Sequence, residues 1–115
     1  MGTEWGRRMK VWLDDLRPAP DKTWTAVTTP HDAIKLLETG EVDLISFDHD
    51  LGIEDGVEMT GYQVLLWIEE AVVLRGFKPP EMRVHSANPP GHARLLRGIE
   101  AIKRRRDAGP SGSRG

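Results

Sequence analysis

A short apolar run that ends abruptly in charged residues, at residues 45–52 (ISFDHDLG), constrains the fold of this chain most. The run up to Phe47 has the length and composition of a buried strand, and a glycine closes the segment. An unpaired charge in an apolar interior costs on the order of several kcal/mol. Asp48, His49 and Asp50 are therefore expected at the C-terminal end of the strand, where open α/β sheets bind their ligands.

Two other apolar runs end in the same way. Residues 10–13 lead into a pair of aspartates, and residues 82–84 lead into a histidine and a serine. Right-handed crossovers would make these runs parallel neighbours of the first strand, so that their polar ends meet at one edge of the sheet. The sequence therefore predicts that the carboxylates of Asp14, Asp15 and Asp48 converge there.

The helices are indicated by apolar residues at helical spacing. Such spacing follows Pro30, covers residues 61–75 and continues at about residues 92–105. Thr29 and Thr60 are the predicted N-caps of the first two helices. The order strand, strand, helix, strand, helix, strand, helix predicts an α/β protein with a largely parallel sheet.

Two connections are less regular. Residues 23–29 (TWTAVTT) are β-branched and aromatic, which predicts a strand. The link before it, with two prolines in residues 16–20, is too short for a helical crossover. We expect an edge strand reached by an irregular loop, and the sequence leaves its direction open. Residues 53–59 (IEDGVEM) are expected to form an acidic loop.

The composition fits one globular domain. The chain has 115 residues, of which 38% are hydrophobic and 30% charged, enough for a single core. It has no cysteine, which excludes disulfides, thiolate metal sites and a cysteine nucleophile. No apolar run reaches the roughly 18 residues of a membrane span and no signal peptide is visible, so a cytoplasmic location is expected. We predict a disordered lead (1–8), one domain (9–106) and a flexible tail (107–115).

The polar strand ends resemble the acidic site of response-regulator receiver domains. The resemblance rests on LDD at 13–15, DLISFD at 43–48 and SA at 86–87. Receivers hold Mg²⁺ with an acidic pair and a phosphoacceptor aspartate, which match Asp14, Asp15 and Asp48. Their switch hydroxyl matches Ser86. This sequence departs from the receiver pattern, since it lacks the fifth strand, the lysine after it and the helix between the first two strands.

A receiver-derived family, the cyclic-phosphate processing receiver domains, accounts for these departures. The sequence resembles it in four ordered blocks: LDDLRPAP (13–20), SFDHDLG (46–52), TGYQV (60–64) and HSANPPG (85–91). The resemblance implies a receiver-like (flavodoxin-like) three-layer α/β sandwich on a mostly parallel four-stranded sheet, truncated before a fifth strand. It also implies a role at 2′,3′-cyclic phosphate ends of RNA or nucleotides, with RNA-repair proteins as partners.

The candidate residues suit the opening of a cyclic phosphodiester. That reaction needs an activated water, a proton for the leaving oxygen and cations for the developing charge. Mg²⁺ or Mn²⁺ is predicted to bind four carboxylates: Asp14, Asp15, Asp48 and Asp50. Histidine is the side chain best suited to proton transfer near neutral pH, so His49 and His85 are the predicted general base and acid, beside Asp48.

Substrate contacts are predicted around this cluster, from Arg17, Ser86, Asn88, Gly91 and His92. Arg17 would bind phosphate oxygens in a bidentate manner. The amides of Gly91 and His92, at a predicted helix start, would form an anion site. The plainer alternative is that the carboxylates cap loops and that His85 is a core histidine bonded to a neighbouring carbonyl.

Two other functions stay open. A degenerate receiver would act as a non-catalytic protein-interaction or signalling module. Alternatively, residues 47–50 (FDHD) fit the hydrophobic-DxD start of a haloacid-dehalogenase-like phosphatase, with Ser86 as its second motif. The phosphatase alternative lacks a later lysine and acidic pair, and it leaves Asp14 and Asp15 without a role.

Overall fold

The structure is a computed structural model that describes residues 9–108. Its elements in chain order are β1 (Met9–Leu13), β2 (Trp24–Val27), α1 (Pro30–Leu37), β3 (Val42–Phe47), β4 (Asp50–Glu54), β5 (Val57–Thr60), α2 (Gly61–Arg75), β6 (Glu81–Val84) and α3 (Pro89–Ala108). The predicted disordered lead, residues 1–8, and residues 109–115 of the predicted tail lie outside the described residues. The tail was predicted to begin at residue 107, but α3 continues to Ala108, because alanine and arginine favour a helix.

Four strands form one parallel sheet in the order β2-β1-β3-β6. Leu13 pairs with both Val27 and Phe47, which end the two neighbouring strands. Phe47 pairs in turn with Val84, so all four strands end at the same edge. The predicted neighbours are confirmed, and β2 is a parallel edge strand, the direction that the sequence left open. The predicted α/β, receiver-like (flavodoxin-like) fold with a truncated sheet is confirmed.

The apolar core lies between this sheet and the helices. Side chains alternate across a strand, and those on the helical face of the two central strands are fully buried: Val11, Leu13, Ile45 and Phe47. They belong to one cluster with apolar residues of all three helices, among them Leu37, Ile68 and Ile102. Burying a side chain of this size contributes about 1.5–3 kcal/mol. The cluster therefore holds the strand ends, and the residues that follow them, in a fixed relation.

All three helices lie on this one face of the sheet. The crossovers β2-α1-β3 and β3-α2-β6 run in the same direction across the sheet, so right-handed connections put α1 and α2 on the same side. α3 packs along α2. A three-layer sandwich has a helical layer on each face of its sheet. The link between β1 and β2 forms no helix, so residues 9–108 form the sheet and the helical layer on one of its faces. By strand alternation, the opposite face carries Trp12, Trp24 and Ser46.

The segment expected as an acidic loop is instead a β-hairpin, so that prediction was wrong. β4 and β5 pair antiparallel, with Ile53 opposite Glu58 and Glu54 opposite Val57. The turn between them is Asp55–Gly56, and both residues have positive φ, 52° and 77°. Two central residues with positive φ are the mark of a type I′ turn, which Asp-Gly favours. The dipeptide was therefore a readable hairpin signal.

The helices α1 and α2 each begin directly after a threonine that caps the N-terminus. Thr29 Oγ1 accepts a hydrogen bond from the Asp32 amide at 3.1 Å, and the Thr60 amide donates to Gln63 Oε1 at 3.0 Å. Both predicted N-caps are confirmed. α3 starts at Pro89, three residues before its predicted start, because the first turn of a helix does not use the amide that proline lacks. Within the described part of the chain, no helix is long and apolar enough to span a membrane.

Candidate functional site

Three carboxylates meet at the edge where the parallel strands end. Asp14 and Asp15 follow β1 and Asp48 follows β3, and one ligand oxygen from each lies within 4.8 Å of the others. The two strand ends are locked together, because the Asp48 amide donates to the carbonyl of Leu13 at 3.0 Å. The predicted convergence of the three aspartates is confirmed.

Asp14 is the best-anchored member of this cluster. Only 4% of the residue is exposed. Its Oδ1 accepts hydrogen bonds from the amides of Leu16 and Arg17, both at 2.8 Å, and its Oδ2 accepts from His85 Nε2 at 3.0 Å. Burial raises the pKa of Asp14, but the bonds from Arg17, Leu16 and His85 together outweigh it and hold the pKa below its usual value. Asp14 is therefore an ionised, oriented carboxylate.

The other two carboxylates show why a cation fits here. Burial raises the pKa of Asp48, and the negative charge of Asp14 raises it further. Asp15 Oδ1 is buried and finds no hydrogen-bond partner among the described residues. A buried oxygen without a partner, beside like charges, is costly. A divalent cation would supply the missing partner and remove the repulsion, and an all-oxygen ligand set suits Mg²⁺ or Mn²⁺.

Asp50, predicted as a fourth metal ligand, lies outside this group of three. Its carboxylate accepts hydrogen bonds from His49 Nδ1 at 2.9 Å and from Asn88 Nδ2 at 3.1 Å. The same two bonds, with that from His49 the larger, hold the pKa of Asp50 below its usual value. Asp50 therefore binds His49 and is not part of the carboxylate cluster.

His49 is held from two sides. Its Nδ1 donates to Asp50, and only 12% of its side chain is exposed. Gly91, in the first turn of α3, packs on the imidazole so closely that a Cβ there would lie 2.6 Å from His49 Cγ. With the proton on Nδ1, Nε2 is an acceptor. That atom is buried and has no hydrogen-bond partner among residues 9–108.

The predicted anion site at the start of α3 is not open. The Gly91 amide donates to Asn88 Oδ1 at 3.2 Å, and the His92 amide donates to the Asn88 carbonyl at 2.7 Å. Because α3 begins at Pro89, these amides belong to its first turn and are used there. Glycine is needed at position 91 because the backbone there lies against the His49 ring, and not because its amide is free.

His85 is bonded at both ring nitrogens. Its Nε2–H donates to Asp14, and its Nδ1 lies 2.7 Å from Ser46 Oγ. Its ring stacks on Trp12, with centroids 3.7 Å apart and planes 4° apart. Burial lowers the pKa of His85, and the neighbouring Asp14 opposes this shift less strongly.

The remaining predicted substrate residues surround the cluster. Arg17 is exposed, and its NH1 donates to the His85 carbonyl at 3.1 Å. Ser86 is buried, and its Oγ accepts from the Asn88 amide at 3.1 Å. His92 Nδ1–H donates to the Ser86 carbonyl at 3.2 Å. Arg17 thus stands at the surface of the site, while the other three build the turn that leads into α3.

Two residues of this arrangement were missed from the sequence. Ser46 and Trp12 both contact His85 from the face of the sheet that has no helix. The available signal was a single hydroxyl within the apolar run 44–47, since a buried hydroxyl requires a partner. The identity of that partner was not readable from the sequence.

Gly61, which opens α2, permits a second close approach. Its amide donates to the His49 carbonyl at 3.0 Å, and a Cβ on it would collide with the carbonyl oxygen of Asp48. We expect Gly61→Ala to lower the free energy of unfolding by about 1–3 kcal/mol or more, because the obstacle is backbone and cannot turn away. Urea denaturation at pH 7 measures the change.

Gly98→Ala is the matched control for that substitution. A Cβ at Gly98, in the middle of α3, would meet only side chains, at 3.0 Å from Leu65 Cδ1 and 3.3 Å from Tyr62 Cε1. These ends can shift, and alanine favours a helix over glycine by about 1 kcal/mol. Equal losses of stability in the two variants would contradict the proposed role of Gly61.

Comparison with known proteins identifies one family. A family model of the cyclic-phosphate processing receiver domain matches residues 9–101, from the start of β1 into α3. The match covers most of the chain and includes every site residue described above. No curated protein and no solved structure matches the chain.

Proposed function

This chain belongs to the cyclic-phosphate processing receiver domain family, and from that premise we propose that it binds and hydrolyses a 2′,3′-cyclic phosphate at the end of an RNA or nucleotide. The site would be the edge of the sheet at Asp14, Asp15 and Asp48. One observation supports catalysis above all: His49, next to Asp48 in the chain, has an oriented ring whose buried Nε2 is an acceptor without a partner among residues 9–108, so that a water entering the site would supply the missing donor.

His49 would act as the general base. Its Nε2 takes a proton from the attacking water, while Asp50 holds Nδ1–H and stabilises the imidazolium that forms. The water oxygen forms a bond to phosphorus while the bond between phosphorus and one ribose oxygen breaks. That ribose oxygen takes up a proton from solvent, His49 releases its proton to solvent, and the product is a 2′- or 3′-monophosphate. Asn88, which bonds to the other oxygen of Asp50, keeps that carboxylate in place.

The carboxylates and Arg17 would bind the phosphate group. A divalent cation held by Asp14, Asp15 and Asp48 would neutralise charge on the phosphoryl oxygens. Arg17 is exposed and uses NH1 for the carbonyl of His85, which leaves its other donors for phosphate oxygens. Since the ground-state phosphate carries this charge already, Arg17 contributes to affinity more than to rate.

Conversion of a nucleoside 2′,3′-cyclic phosphate to its monophosphate, in the presence of Mg²⁺ or Mn²⁺, tests this proposal. We expect release of a 2′- or 3′-monophosphate and no phosphate release from the linear monophosphate used as control. Binding without turnover would make the protein a sensor of cyclic ends. If the protein neither binds nor converts the cyclic phosphate, the interaction-module alternative is favoured instead.

The phosphatase alternative has weaker support. It gives Asp14 and Asp15 no role, although both lie in one cluster with Asp48. It also needs Asp48 as a nucleophile that becomes phosphorylated. Labelling of Asp48 during hydrolysis of a linear monophosphate would favour that alternative over the one proposed here.

A further inference from the structure

Three polar side chains form a continuous chain beneath the carboxylate cluster. Ser46 Oγ lies 2.7 Å from His85 Nδ1, and His85 Nε2 lies 3.0 Å from Asp14 Oδ2. Ser46 and Asp14 are each 4% exposed, and 15% of the His85 side chain is exposed. Ser46 lies within β3, Asp14 follows β1 and His85 follows β6, so only the assembled sheet brings the three together.

The direction of these bonds follows from the charge of Asp14. An ionised carboxylate can only accept, so the proton of a neutral His85 lies on Nε2. Its Nδ1 is then an acceptor, and the hydroxyl of Ser46 must donate to it. Ser46 therefore stabilises the one tautomer of His85 that can hold Asp14. The stacked ring of Trp12 fixes the plane of the imidazole.

The consequence for Asp14 is that its carboxylate cannot rotate freely. Two backbone amides fix Oδ1, and His85 fixes Oδ2. The amides use both lone pairs of Oδ1, whereas Oδ2 keeps a second lone pair that can still contact a cation. Partners of this kind orient metal-binding carboxylates, and their loss typically lowers metal affinity or activity by about 10–100-fold.

We propose that His85 is a positioning residue, which holds Asp14 in the orientation that the carboxylate cluster requires, and that Ser46 selects the tautomer that does so. This role replaces the general acid that the sequence predicted for His85. Both of its nitrogens are already bonded and Trp12 covers one face of its ring, whereas His49 has a nitrogen without a partner in the described residues. The effect on turnover rests on the proposed function, but the effects on tautomer and metal affinity do not.

The tautomer is tested by ¹⁵N NMR of the histidine rings in the full chain at pH 7, without metal. We expect His85 to carry its proton on Nε2 in the wild type, and Ser46→Ala to give a mixture of tautomers. Thr25→Ala, which removes a hydroxyl from the edge strand β2, should leave the signals unchanged. A proton on Nδ1 of His85 in the wild type would overturn the proposal.

The positioning role is tested by comparing His85→Gln with His85→Ala. A glutamine side chain has an N–H that can donate to Asp14, but it cannot transfer a proton near pH 7. We expect His85→Ala to lower Mn²⁺ affinity by about 10–100-fold and His85→Gln to recover most of this loss, and turnover to follow the same order. Thermal denaturation of both variants shows whether each is folded.

The opposite result identifies a general acid. If His85 transferred a proton, both variants would lose turnover equally and would keep the wild-type affinity for Mn²⁺. Failure of the proposed function is a separate result, in which the wild type does not convert cyclic phosphate. The tautomer measurement and the Mn²⁺ titration still decide the role of His85 in that case, because neither uses a substrate.

Discussion

Replacement of His49 by alanine is expected to lower the turnover number for a nucleoside 2′,3′-cyclic phosphate by about 10²–10⁴-fold, the usual contribution of a positioned base. The Michaelis constant should change little, since His49 would act on the attacking water and not on the bound phosphate. The expected effect is large because Nε2 is held in one place, by Asp50 on Nδ1 and by Gly91 against the ring. Steady-state kinetics at pH 7 separate the two constants.

Two further variants control this experiment. Asp50→Asn keeps the shape of the side chain but removes the charge that stabilises the imidazolium, so a smaller loss of turnover is expected. His31→Ala removes a histidine that is exposed in α1 and takes part in none of the hydrogen bonds of the site, so turnover should be unchanged. Wild-type turnover in His49→Ala would refute the assignment of the base.

Mg²⁺ or Mn²⁺ is expected to raise the thermal midpoint of the wild-type protein substantially. A ligand that binds only the folded state stabilises it by about 2.7 kcal/mol at 100 times its dissociation constant. In a domain of about 100 residues, each kcal/mol shifts the midpoint by roughly 4 °C or more. The expected rise at saturating ion is therefore about 10 °C, and differential scanning calorimetry with and without the ion measures it.

Asp48→Asn and Asp15→Asn should abolish most of that rise. Without the ion, Asp48→Asn should instead unfold at a higher temperature than the wild type, because burial and the charge of Asp14 disfavour the ionised form of Asp48. Glu58→Gln, on the exposed strand β5, is the matched control and should respond to the ion as the wild type does. An equal rise in Asp48→Asn and wild type, or no rise with either ion, would contradict a metal site at these carboxylates.

The place of the carboxylate cluster was determined by the sequence alone. A strand that is buried along its length must put its charged residues at its end, and crossover connections make such strands parallel. Asp14, Asp15 and Asp48 therefore had to meet at one edge of the sheet, as they do. Asp55–Gly56 also specified a tight turn, because it stands between short segments in which apolar and acidic residues alternate.

The partners of each side chain were decided by the tertiary structure. The two ring nitrogens of His85 bond to residues 39 and 71 positions away in the chain. Asp50 bonds to His49 and does not join the carboxylate cluster. Periodicity determines which face of an element a residue occupies, but a hydrogen bond depends on distances of a few tenths of an ångström. Those distances are set by strand register and by the packing of Gly61 and Gly91, which exist only once the chain has folded.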